Sequence, residues 1–181
     1  MKTKRESSFG YKMMVCTYKL VDLFNSPDQK LDELDIRQGN VVVDYGCGPG
    51  RYLQKASDLV GKEGKVYAAD IHIEALNYSQ KIIKVNNLKN VEISLIQNDK
   101  SSIPDNEANL IYAIDMFHHV NQPQPFFKEL YRIIKKDGQL YLEDGHQSRE
   151  TSLNKIKQSN LWQVKSEDGN WITLTPKSGQ V

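Results

Sequence analysis

The run Asp44-Tyr45-Gly46-Cys47-Gly48-Pro49-Gly50-Arg51 joins an acid to three glycines at every second position. Glycine serves where a backbone must turn sharply or let a ligand come close. A helix opening behind such a turn, here at Pro49, offers free N–H groups and the positive end of its dipole. The chemistry expected is the binding of an adenosine-containing cofactor, and the spacing narrows its kind. A dinucleotide loop needs G-x-G-x-x-G, yet Arg51 stands where its third glycine would fall. A phosphate-gripping P-loop would need Gly-Lys followed by Ser or Thr, which is absent. A carboxylate before the first glycine repels a pyrophosphate and attracts an ammonium or sulfonium. The loop suits a cationic adenosine ligand that carries no phosphate.

Other chemistry-bearing residues sit at the ends of apolar runs. Asp70 closes Val66-Tyr67-Ala68-Ala69, twenty residues past Gly50, where an acid can accept hydrogen bonds from both ribose hydroxyls. Asp115, His118 and His119 follow the run beginning at Ala108, and Glu143, Asp144 and His146 follow the one ending near Leu142. Proton transfer is within reach of each, as it is of Tyr11 near the N-terminus. Adjacent histidines on a regular element point in different directions, so His118 and His119 are not expected to share a metal. The two cysteines, Cys16 and Cys47, form no Cys-x-x-Cys pair, and no metal site is expected. Cys47 reads as a small side chain that fits inside the loop.

These residues need strands and helices to hold them. Val41-Val42-Val43 is too apolar for a half-exposed strand and reads as a buried parallel one. From residue 41 onward strands alternate with helical patterns, which argues an α/β, Rossmann-like doubly wound sheet. A helix is expected over Tyr52–Val60 and stopped by Gly61, and another over Ile73–Val85. The stretch 100–108, with Pro104-Asp105-Asn106, carries turn chemistry only. A helix over Phe126–Lys135 should close at Asp137-Gly138, before a fifth strand at Gln139–Glu143. A polar helix over Arg149–Gln158 then leads to Leu161–Val164 and Trp171–Thr175, with a hairpin turn in Ser166–Asn170. The sheet is therefore expected to be mostly parallel with a C-terminal antiparallel hairpin.

With these motifs in order, the chain resembles the class I S-adenosylmethionine-dependent methyltransferases from about Gln38 to its end. The resemblance implies S-adenosylmethionine as cofactor and S-adenosylhomocysteine as product. It assigns Asp44, Tyr45, Gly46, Cys47, Gly48, Gly50 and Asp115 to the donor, Asp70 to the ribose, and Ile71 beside it to the cofactor's border. It also gives Asn98 and Asp99 to the adenine amino group. Asp115, His118, His119, His146 and Tyr11 are the candidates around the reacting atoms. Residues 39–181 form the core domain and 1–38 an N-terminal segment. There Met13, Met14, Val15, Tyr18, Leu20, Val21, Leu23 and Phe24 make an apolar helical stretch. That stretch is either a lid over the active site or a helix packed on the sheet edge; a lipid-presenting helix fits its weakly basic polar side less well.

Bulk properties bound the partners. The chain has 181 residues, 24 basic against 23 acidic, and shows no electrostatic footprint for nucleic acid. No run approaches the ~18 apolar residues of a membrane span, and Met1–Glu6 leads into no signal-like segment. The expectation is a cytoplasmic monomer or homodimer acting on a small molecule, without stable membrane association. Arsenite is disfavoured as acceptor, because enzymes of that kind bring additional cysteines. Two other classes remain: a protein that binds the cofactor without turnover, and an NAD(P)-dependent oxidoreductase, against which the missing third glycine counts.

Overall fold

The computed structural model describes residues 29–179. The expected lid segment, with Tyr11, lies almost wholly outside them. Residues 29–38 are described, and they open with a short helix α1 (Gln29–Asp32).

Strands β1 (Val41–Tyr45), β2 (Lys65–Asp70), β3 (Val91–Leu95), β4 (Ala108–Ala113), β5 (Ile134–Glu143), β6 (Trp162–Asp168) and β7 (Trp171–Pro176) form one seven-stranded sheet in the order β3-β2-β1-β4-β5-β7-β6. The first five pair in parallel, and β7 pairs antiparallel with both β5 and β6. The expected doubly wound sheet with its antiparallel hairpin is what forms. Helices α2 (Leu53–Val60), α3 (Ile73–Val85), α4 (Pro123–Ile133) and α5 (Arg149–Ser159) cover it.

Strand β1 is flanked on both sides, so both of its faces must be apolar. Val43 and Tyr45 pack with Phe127, Leu130 and Ile133 of α4 and Ile156 of α5. Val42 packs with Leu53, Ala56 and Val60 of α2 and Leu76 of α3. Alternation along the strand thus sends successive side chains to opposite helical layers. Asp44 shares the parity of Val42 and so lies under the α2 layer.

Four boundaries differ from the sequence reading, each for a physical reason. Helix α2 starts at Leu53 rather than Pro49, because the glycine loop continues as turns through Tyr52. Helix α4 starts earlier, with a proline at its first turn where no N–H is needed. It ends at Ile133, since Ile134 already pairs with Ala108 of β4. Gly138 is therefore no helix stop: a Cβ there would sit 2.7 Å from Ile134 Cδ1 and 2.9 Å from the Asn109 carbonyl oxygen. It lets β5 approach β4 closely. The hairpin turn is also shorter than expected, because Asp168 still pairs with Trp171 and leaves only Gly169-Asn170 to turn the chain.

No helix separates β3 from β4, as the turn-rich stretch implied. Glu129 of α4 anchors that crossover by accepting from the Ser101 N–H at 2.8 Å and its hydroxyl at 2.7 Å. Arg132 pairs with both Glu129 and Asp105. Burial alone would raise the Glu129 carboxyl, but these bonds outweigh it and hold it below its ordinary value. At the other end of the sheet, Lys30 of α1 pairs with Glu143, the Trp171 indole N–H donates to Glu33, and Leu31 and Leu34 are buried. The described part of the N-terminal segment is thereby fixed over the carboxyl end of β5 and the amino end of β7.

Candidate cofactor and acceptor site

Winding reverses between β1 and β4, and ligands of open α/β sheets bind outside the strand carboxyl ends at such a point. The glycine loop lies there. Its Gly46 and Cys47 N–H groups donate to the Ala69 carbonyl at 2.8 and 3.0 Å. The Gly48 N–H donates to Asp70 Oδ2 at 3.0 Å, and the His72 N–H to Asp70 Oδ1 at 2.8 Å. The loop after β1 is thus tied to the end of β2. Gly46, Gly48 and Gly50 all have left-handed φ, of 85°, 52° and 85°. A Cβ would strike Met116 Cγ at 2.9 Å from Gly46, and Leu53 Cδ1 at 2.9 Å from Gly50. At Gly48 it would meet nothing within 4 Å. Gly48 faces open space, which is where a ligand would come close to the backbone.

Beneath the loop, Asp44 is buried, and its Oδ2 has no hydrogen-bond partner among the described residues. The Tyr112 hydroxyl lies beside it and also lacks a bond of ordinary geometry. Burial first, and then the charge of Asp70, push the Asp44 carboxyl up to about 8 against the pull of Tyr112. A buried carboxylate oxygen with no donor is costly. An approaching ammonium or sulfonium would remove that cost, so the residues present fit the cationic cofactor inferred from the loop.

The remaining expected cofactor residues are distributed unevenly. Asp70 is buried, and burial raises its carboxyl although the His72 and Gly48 N–H groups oppose the shift. Ile71, next to it, is 42% exposed, an uncovered apolar side chain at the rim. Cys47 is buried, with its Sγ 3.6 Å from Ser79 Oγ, and burial pushes its thiol well up. It is an inert packing residue, as its position implied. The Tyr45 ring points into the core, edge-on to Phe126 at 5.5 Å. Only its backbone belongs to the loop. Asn98 and Asp99 lie past the end of β3, both exposed and both with left-handed φ, between Gln97 and Lys100, which exchange two backbone hydrogen bonds.

A second group gathers at the carboxyl ends of β4 and β5. Asp115 follows β4 with a φ of 52°, and its N–H donates to Glu143 Oε2 at 3.0 Å. A single 3₁₀ turn, Phe117–His119, then presents the two histidines, whose ring centroids lie 3.9 Å apart. His118 also meets His146 edge-on at 4.8 Å, and His146 Nε2 is 3.8 Å from Asp115 Oδ1. Burial, reinforced by His119, holds the His118 imidazole below its ordinary value. His119 is exposed. Asp144 is occupied by Arg149, which donates to it at 2.8 Å.

Sequence reasoning missed three side chains here. Tyr112 read as strand core, Lys30 lay in a segment with no motif, and Lys155 sat unmarked in a polar helix. Lys155 donates to the Phe117 carbonyl at 3.2 Å, and burial lowers its ammonium. Nothing in their sequence spacing distinguishes them.

A sheet of this order, with an acid and a glycine loop at its switch point, defines a nucleoside-cofactor transferase of the α/β class. A family model described as methyltransferase domain matches residues 36–175, and the chain belongs to that family. S-adenosylmethionine is the methyl donor that enzymes of this fold and loop use. Among solved structures, a SAM-dependent methyltransferase from Aquifex aeolicus is 28% identical with a TM-score of 0.70, covering 83% of this chain and 87% of that one. A TehB-like SAM-dependent methyltransferase from Corynebacterium glutamicum shares the fold at 13% identity, with a TM-score of 0.73 over 93% of this chain and 98% of its own. The ubiquinone/menaquinone biosynthesis C-methyltransferase UbiE of Hydrogenovibrio crunogenus is 26% identical over 147 residues, 81% of this chain and 54% of that protein. The chain spans about half the length of the curated relatives it matches. Among the described residues no helix is long and apolar enough to cross a membrane.

Proposed function

We propose that this protein transfers the methyl group of S-adenosylmethionine to a small-molecule acceptor in the cytoplasm. The observation that carries the reading is the buried, unpartnered Asp44 oxygen beneath the open face of Gly48. Asp44 and the loop would hold the cationic end of the donor, and Asp70 would accept from the ribose. Ile71 would lie against the adenine, with Asn98 and Asp99 at its amino group. The donor supplies a methyl already activated by a positive sulfur, so the protein's task is alignment. Good alignment can contribute on the order of 7–11 kcal/mol.

The acceptor would enter between Asp115, the histidine turn and His146. Where its nucleophile carries a proton at neutral pH, an imidazole can take it. His118, held neutral by its partly buried position, is suited to that step, with Asp115 orienting the ring of His146 opposite it. The relatives named as C-methyltransferases support a carbon acceptor.

The test has two stages. S-adenosylmethionine and S-adenosylhomocysteine, each at about a hundred times its dissociation constant, should add ~2.7 kcal/mol of stability, while NADH and NADPH add none. An acceptor screen should then yield S-adenosylhomocysteine only when acceptor is present. Stabilisation by the nicotinamides alone would overturn the reading. Cofactor stabilisation without turnover across phenolic, enolic, amine and thiol acceptors would leave a binding protein.

A further inference from the structure

We propose that Asp115, His118 and His146 form a site for a first-row divalent transition-metal ion at the carboxyl ends of β4 and β5. Each offers one ligand atom, and these atoms all lie within 4.8 Å of one another. Of these, His146 Nε2 and Asp115 Oδ1 lie 3.8 Å apart. Ligands about 2.1 Å from an ion sit roughly 3.0–3.4 Å from each other, so closure asks for about an ångström of side-chain motion. His146 is 83% exposed and free to make it.

The donor set itself is informative. Two imidazoles and one carboxylate suit Zn²⁺, Fe²⁺, Co²⁺ or Mn²⁺ far better than Mg²⁺, and leave coordination positions open. The three residues come from separate turns, after β4, on the 3₁₀ turn and after β5, so their meeting is a product of the fold. The β5–α5 loop holds the His118 ring in place. His118 Nδ1 is buried with no hydrogen-bond partner among the described residues. Gly145, with a φ of 65°, packs so tightly on it that a Cβ would stand 2.2 Å from Nδ1. The β5–α5 loop is thus shaped to close over His118. Glu143 fixes the Asp115 backbone from behind. The nearby ammonium of Lys155 is engaged by the Phe117 carbonyl.

The adjacent-histidine argument excluded a metal held by His118 and His119 together. The structure brings His118 to His146 instead. Resting on the methyltransferase reading, a loaded site would take over the part given to His118 as base: its open positions would hold an oxygen of the acceptor and lower its proton affinity, so the substrate class is one with a hydroxyl or carbonyl beside the methylated atom.

The experiment titrates chelator-treated, tag-free protein with Co²⁺ and follows visible absorption. One equivalent should bind and develop d–d bands. His118→Ala and His146→Ala should each abolish them, while His72→Ala keeps them. His146 is exposed, so its variant should retain the wild-type melting temperature. Absence of the bands in wild type, or their persistence in both variants, would overturn the site. The S-adenosylmethionine thermal shift, run on the same samples, reports separately on the methyltransferase reading.

Discussion

The Asp115 N–H donates to the Glu143 carboxylate at 3.0 Å, a bond that joins the carboxyl end of β4 to that of β5. The same carboxylate pairs with Lys30 through its other oxygen. Glu143 therefore holds a left-handed residue in place and fixes the described N-terminal helix above it. These contacts predict a positioning residue, although its sequence neighbourhood also made it a candidate base.

Glu143→Ala should lower stability by about 1–3 kcal/mol, because a partly buried N–H and a lysine lose their partner together. Glu143→Gln keeps an acceptor for Asp115 and should recover most of that loss. Denaturant melts of both variants check this, with kcat as companion. A base would lose activity equally in both, whereas a positioning residue is rescued by glutamine.

Asp44 should make cofactor binding proton-linked. Its carboxyl stands at about 8 in the folded protein, against an ordinary value of 3.8. The folded state holds this proton where the unfolded chain has released it. Stability of the free protein should therefore fall as pH rises from about 4 to about 8, relative to Asp44→Asn, and level off above. A cationic ligand favours the carboxylate and expels the proton. Calorimetry at pH 6.5 in buffers of different ionisation enthalpy should show close to one proton released per S-adenosylmethionine bound. Asp44→Asn should release none and bind more weakly.

The glycines of the loop should separate by function. Gly46→Ala and Gly48→Ala both place a side chain at left-handed φ, at a cost of about 1–3 kcal/mol. Gly46→Ala also collides with Met116, so its melting temperature should fall further. Gly48→Ala meets no protein atom. Its larger effect should be a tenfold or greater rise in the S-adenosylmethionine dissociation constant, read by calorimetry at a temperature where both variants are folded.

Much of this was legible because local and global demands coincide. The valine run of β1, the glycine spacing and Asp70 each need their neighbours in sequence, and those neighbours stay neighbours in space. Gly61 ends α2 with a φ of 68° just where the pattern stops. What the sequence could not show depends on distant pairings. The end of α4 is decided by Ile134 meeting Ala108, and the role of Glu143 by Asp115 and Lys30. The inward turn of Tyr45 follows from strand parity and Phe126. His118 and His146 stand far apart in the chain, and only the shared end of β4 and β5 brings them together.

Asn98 and Asp99 carry two readings that one pair of variants separates. Both have left-handed φ, of 50° and 61°, between Gln97 and Lys100, which exchange two backbone hydrogen bonds. Successive left-handed residues make a tight primed turn, which favours Asn, Asp and Gly. The turn alone explains why these residue types stand there. Glycine meets the same backbone demand, so Asn98→Gly and Asp99→Gly should leave the melting temperature nearly unchanged. If the pair also contacts the adenine amino group, Asp99→Gly loses that acceptor. Binding of S-adenosylhomocysteine should then weaken about tenfold, matching ~1–2 kcal/mol for a hydrogen bond of this kind. Its inosine counterpart, which lacks the amino group, should bind wild type and variant alike. Equal affinity of both ligands for wild type would reduce the pair to a turn and move adenine recognition elsewhere on the rim.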